Sequence, residues 1–140
     1  MHRDWRYVDE AFALNGFIVF IGATMQVLGS GRTEVRVAFR PELAQHNGFF
    51  HGAISGALAD VACGYAALTL FPPGSNMLAV DYTIHFMEPA LGDALIARAE
   101  VIRKGNRLLT CRCDLFVVRE GVEHLCGAVL ETVTGQLPKP

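Results

Sequence analysis

Asp60 is the only charged residue in the run GAISGALADVACGYAALTLF (residues 52–71), and its neighbours Leu58-Ala59 and Val61-Ala62 are all apolar. A carboxylate in such surroundings must find donors, take up a proton or meet a ligand, which makes it a candidate general base or nucleophile. A buried aspartate hydrogen-bonded to a nearby loop would satisfy the same demand without any chemistry. Spacing bears on the choice: Gly52, Gly56, Asp60 and Gly64 recur at every fourth position and therefore share one helical face. Each glycine weakens a helix by about 1 kcal/mol relative to alanine. Such a stripe calls for the close approach of a ligand or another backbone, or for tight helix packing.

The start of the same helix offers a second device. The amides of Gly52 and Ala53 have no intrahelical acceptors and lie at the positive end of the helix dipole. Amides so placed polarise a carbonyl and stabilise the charge that develops on its oxygen when the carbon is attacked. His51, with Gln45, His46 and Asn47 before it, supplies further donors, or merely caps the loop. Gly52 and Asp60 are eight residues apart. At 1.5 Å per residue that is about 12 Å along a helix, too far for both to touch one carbonyl. A reaction that uses both therefore needs Gly52 of one subunit and Asp60 of another, hence at least a dimer.

The elements that must position these groups can be read from patterning. The long helix ends before Pro72-Pro73-Gly74 and is apolar nearly all round, so it needs cover over most of its circumference, which a curved sheet supplies. Ahead of it, residues 4–14 suit a short helix, and Gly22 to Phe39 reads as two strands turned at Gly29-Ser30-Gly31. After it, Leu78, Val80, Tyr82, Ile84 and Phe86 alternate with Ala79, Asp81, Thr83 and His85, the period of a strand with one buried face. Leu95, Ala97, Ala99 and Val101 form the apolar set of the next strand. The Lys104-Gly105-Asn106 turn and the Glu120-Gly121 turn then separate two more, the last ending near Thr134. The predicted class is α+β, one domain over residues 1–140, in the order hairpin, central helix, four-stranded meander.

Composition narrows the partners. Hydrophobic residues make up 51% and charged residues 19%, which predicts a folded chain that self-associates. A formal charge of −2 supplies no field for gripping nucleic acid or an anionic membrane. The opening MHRDWRYVDEAF is too charged for a secretory signal, and no run reaches the roughly 18 apolar residues of a membrane span, so a cytoplasmic protein is expected. Cys63, Cys111, Cys113 and Cys126 lie in apolar stretches without metal-binding spacing. They are expected in the core and reduced, and no metal site is expected.

In the segments HNGFFHGAISGALADVACGYAA and LAVDYTIHFMEPALGD the chain resembles the PaaI-like (phenylacetic-acid-degradation) branch of the hotdog-fold thioesterases, over about residues 30 to 134. The resemblance implies a central helix wrapped by a curved antiparallel sheet, subunits joined edge to edge as a homodimer or a dimer of dimers, and active sites between subunits. It implies hydrolysis of acyl-CoA or aryl-CoA thioesters without an organic cofactor. The residue at Asp60 would attack the thioester or activate water, the Gly52 amide would bind its oxygen, and Gln45 would assist. His51, Asn47, Ala53 and Gly64 fall around that site. Two departures stand out: Ala53 where many relatives have a second glycine, and Ala79 where some carry a hydroxyl, with Asp81 as a nearby substitute or an exposed strand residue. Arg103, Lys104 and Arg107 are the clustered cations, in a region that relatives use for coenzyme A phosphates; a solvated hairpin end explains them equally well. Phe49, Phe50, Tyr65, Leu68 and Phe71 suit an acyl or aryl pocket, or the core. Two alternatives stay open: a hotdog hydratase or dehydratase built on His51 and Asp60, and a non-catalytic acyl-CoA-binding module.

Overall fold

The computed structural model describes residues 4–140. Two short helices, α1 (Arg6–Ala13) and α2 (Gly16–Ile21), lead into the hairpin β1 (Thr24–Gly29) and β2 (Arg32–Ala38). A 3-10 turn at Pro41–Leu43 and a tight loop precede the long helix α3 (Gly52–Leu68), followed by β3 (Asn76–Phe86), β4 (Ala94–Lys104), β5 (Leu108–Arg119) and β6 (Val122–Gln136). The α1 segment was expected. α2 was not, because GFIVFI is β-branched and aromatic; it is helical because the Asn15 side chain accepts from Ile18 N at its start and Gly22 closes it in the left-handed conformation.

α3 has almost no polar face, and Ile54, Leu58, Ala59, Ala62, Cys63, Ala66 and Ala67 are all buried. The six strands form one antiparallel sheet, in the order β1-β2-β4-β5-β6-β3, that curves around it. Val35, Val37, Leu95, Ala97, Leu109, Leu115, Val129 and Val133 are its buried inner face. This is the hotdog arrangement. All four cysteines are buried in it as free thiols. Among the described residues, no helix is long and apolar enough to cross a membrane.

Two expectations about the last four strands need correction. A simple meander would place β3 beside β4, but β2 occupies that edge of β4 and β3 pairs with β6 at the far side of the sheet. The chain returns through residues 87–93, where Met87 N bonds Cys126 O and Phe50 N bonds Ala90 O. The second correction concerns the faces of β3. The register skips Val80 between Ala79, opposite Val133, and Asp81, opposite Thr132. This β-bulge exchanges the faces. Before it Ala79 shares the inner face with buried Val133, and after it Tyr82 and Ile84 share that face with buried Glu131 and Val129. Leu78 and Val80 are therefore not on one buried stripe with Tyr82, Ile84 and Phe86; both are more than half exposed.

Candidate active site

The start of α3 is built by the loop before it. An isolated bridge joins Ala44 to Phe50, and Gln45 N bonds Phe49 O, so the loop closes on itself. Within it the Gln45 Oε1 accepts a short hydrogen bond from Asn47 N–H, which fixes that oxygen and leaves the Gln45 amide NH2 as the available donor. His51 is the N-cap of α3, and its Nδ1 accepts from Ala53 N at 3.0 Å. That bond requires the ring proton on Nε2. Ile54 N and Ser55 N bond His51 O. Gly52 N–H is thus the one first-turn amide without an acceptor among the described residues. The expectation that Ala53 also offers a free amide is corrected, since His51 occupies it.

Gly52 and Gln45 line one cleft of about 470 Å³, together with Phe49, Phe50, Ser55 and Phe86. Asp60 lines a different cleft of about 470 Å³ with Asn15, Gly64, Tyr65, Ala79 and Val133. One chain therefore holds the two candidate groups in separate clefts, in keeping with their separation along α3. The N-terminal segment walls the Asp60 cleft: the Tyr65 hydroxyl donates to Ala11 O at 3.2 Å, and the Phe12 and Tyr65 rings meet edge to face at 5.5 Å.

The glycine stripe divides in the same way. A β-carbon on Gly52 would stand 3.0 Å from the Phe86 ring, and one on Gly56 would stand 3.0 Å from the Tyr82 hydroxyl. Two of the three glycines thus admit aromatic side chains of β3. Over Gly64 a β-carbon would meet nothing within 4 Å.

Asp60 is half-buried at the cleft wall, not enclosed as its apolar neighbours in sequence suggested. The enclosed carboxyl is Glu131 on β6, 1% exposed, with no neighbouring N–H or O–H donating to either oxygen. Burial first, and then the Asp60 carboxyl beside it, push Glu131 up to about 10; the Cys63 thiol opposes this. Sequence reading missed this residue. The available signal was its parity, since Glu131 falls between Val129 and Val133 in a strand whose inner positions are apolar.

Other expected site residues lie elsewhere. Asp81 is exposed beyond the bulge, on the face opposite Ala79, so it cannot replace a missing hydroxyl there. Arg103, Lys104 and Arg107 line neither cleft; Lys104 Nζ lies 3.4 Å from Leu70 O and 4.7 Å from the Phe71 ring centre. His51 and Asn47 are exposed at the mouth of the α3 loop. Phe50 and Phe71 are buried, while Tyr65 and Leu68 line the Asp60 cleft. Among the described residues no three His, Cys, Asp or Glu side chains converge as metal ligands.

Comparison with known proteins places this geometry in a family. A family model described as the thioesterase superfamily matches residues 47–124, which include the Gly52 and Asp60 positions. A crystal structure of a thioesterase family protein from Silicibacter pomeroyi is similar at 30% identity with a TM-score of 0.91, covering 94% of this chain and 97% of that one. The phenylacetic acid degradation protein PaaI from Thermus thermophilus, solved as a mutant, is similar at 27% identity with a TM-score of 0.73, covering 86% of this chain and 98% of that one. A protein of Saccharolobus solfataricus named as an esterase is 27% identical over 68% of this chain and 67% of its own length.

Proposed function

The chain belongs to the thioesterase superfamily, and on that premise we propose that it hydrolyses acyl-CoA or aryl-CoA thioesters to the free acid and coenzyme A. Asp60 attacks the thioester carbon or takes a proton from the water that does. The Gly52 N–H receives the charge building on the carbonyl oxygen, helped by the Gln45 amide. The carbon–sulfur bond then breaks and the thiolate leaves. Where Asp60 is the nucleophile, water next cleaves the acyl–Asp60 anhydride and restores the carboxylate; by either route water supplies the hydroxyl of the acid and the proton of the thiol. Water is the only co-reactant, and no organic cofactor takes part.

The observation that carries this reading is the unoccupied Gly52 N–H at the positive end of α3, in a cleft separate from that of Asp60. Each cleft supplies half of a site, so the working enzyme is a homodimer or a dimer of dimers, with Gly52 and Gln45 of one subunit facing Asp60 of the next. The free edge of β3 supports such pairing. Leu78, Val80, Tyr82 and Phe86 on it are all at least 44% exposed, an apolar surface on an unpaired strand edge. A hydratase would need His51 to act on the carbon facing Asp60, whereas His51 Nδ1 is engaged in capping α3.

Thiol release from a panel of acyl-CoA and aryl-CoA esters tests the proposal. Asp60→Asn should lower kcat by about 10²-fold or more while leaving the fold intact. Undiminished turnover in that variant would reject Asp60 as the catalytic group. Tight binding of the esters by the wild type with no thiol released would leave only a binding module.

A further inference from the structure

Glu131 is the one buried carboxyl among the described residues, and no neighbouring N–H or O–H donates to either of its oxygens. Orphaned buried carboxyls are disfavoured and call for a physical reason. Its place in the sheet supplies one. Glu131 points inward from β6, between Val129 and Val133, and Val133 lines the Asp60 cleft one inward position away. Inward neighbours on a strand are about 7 Å apart, so the Glu131 carboxyl lies behind the cleft wall that holds Asp60. The titratable groups facing it are Asp60 and Cys63 on α3, Cys111 beside it on β5 and Tyr82 beside it on β3. None is a cation. Two adjacent carboxyls with no cation between them hold a proton in common, because both cannot be charged at that distance.

We infer that Glu131 is a positioning residue whose carboxylic O–H donates to one oxygen of Asp60 and so aims the other at the thioester carbon. The inference rests on the reading of Asp60 as the catalytic carboxylate. Asp60 is the partner that opens to the cleft, and the enclosed partner, Glu131, keeps its proton. Burial explains the asymmetry, since desolvation opposes charge most strongly at the group away from water and is the leading cause holding Glu131 protonated. Cys63 offers only a weak thiol donor and cannot replace the carboxylic proton. The arrangement also accounts for a setting of Glu131 closed to solvent and without a facing cation, since a solvated or ion-paired carboxyl would lose its proton.

Two variants and one control decide the matter. Glu131→Gln keeps an N–H donor at the same reach, and Glu131→Met keeps the volume without a donor. With Asp60→Asn confirmed inactive, Glu131→Met should lose about tenfold or more in kcat with KM within about twofold of wild type, and Glu131→Gln should restore kcat to within about threefold. Thermal melting near neutral pH supplies the readout that separates positioning from packing: Glu131→Met should melt at or above the wild-type temperature, because folding the wild type must protonate a carboxyl that the unfolded chain leaves ionised, and methionine carries no such cost. Wild-type kcat in Glu131→Met would overturn the inference while leaving Asp60 in place. So would a lower melting temperature in Glu131→Met, or failure of Glu131→Gln to restore the rate. Full activity in Asp60→Asn would overturn the underlying reading instead.

Discussion

Gly64 stands one helical turn beyond Asp60 on the same face of α3, and the space above it is open: a β-carbon there would meet nothing within 4 Å. Gly52 and Gly56, on the same stripe, are each met by an aromatic side chain of β3 at 3.0 Å. Packing within the chain therefore accounts for two glycines and leaves the third to whatever enters the cleft beside Asp60.

Gly64→Ala should consequently separate stability from activity. An alanine inside a helix with room for its methyl group gains about 0.5–1 kcal/mol over glycine. The same methyl narrows the Asp60 cleft and should raise KM by about tenfold for the bulkiest acyl groups. Melting curves and steady-state kinetics on one preparation check both. An unchanged KM across the substrate panel would show that the acyl group does not reach Gly64.

Removing the Gly52 N–H without removing the helix is feasible with proline. Proline is favoured at the first helical position, and His51 before it already has φ −62° and ψ 138°, the extended geometry that a following proline requires. The Phe86 atom nearest Gly52 is the far end of its ring, at 3.0 Å from a β-carbon placed there, and needs to give by only a few tenths of an ångström. Gly52→Pro should retain its helical circular dichroism and lose about 10²–10³-fold in kcat.

Gly52→Pro and Asp60→Asn should also complement each other. If each site takes Gly52 from one subunit and Asp60 from the other, every mixed dimer has one intact site. Unfolding and refolding the two inactive proteins together at equal amounts should return roughly a quarter of wild-type activity, the statistical share of intact sites. A mixture as inactive as its parents would place both groups within one subunit.

The His51 cap should contribute to stability independently of catalysis. His51→Ala removes the acceptor of Ala53 N–H and should destabilise the fold by about 1 kcal/mol, whereas His51→Asn, whose side chain caps equally well, should not. Denaturant unfolding measures the difference.

Glu131 predicts a pH dependence of stability with a definite sign. Its carboxyl rises from an ordinary 4.5 to about 10 on folding, with burial the main cause. Below the ordinary value both states hold the proton and its contribution is fully present. Between the two values the unfolded chain ionises while the folded one does not, so stability falls as pH rises. Relative to Glu131→Gln, the wild type should lose about 1.4 kcal/mol per pH unit within that window. Urea unfolding of both proteins at several pH values inside it checks the slope; parallel curves would show Glu131 ionised in the fold.

Local patterning was sufficient for the elements that carry the site. An apolar run ended by Pro72-Pro73 predicts α3, four-residue spacing puts Gly52, Gly56, Asp60 and Gly64 on one face, and the rise per residue separates Gly52 from Asp60. Each of these depends only on residues close together in the chain. Strand order, the β3 face, the free amide and the enclosed carboxyl do not. The bulge at Val80 reverses the parity on which alternation depends, and it exists only because β3 pairs with β6. Whether Ala53 N–H is free turns on the His51 rotamer. Asp60, flanked by apolar residues, opens to a cleft, while Glu131, in an ordinary-looking strand, is sealed beneath α3. Burial and hydrogen-bond partners belong to neighbours distant in sequence, so only the packed tertiary structure decided which carboxyl meets water and which one keeps its proton.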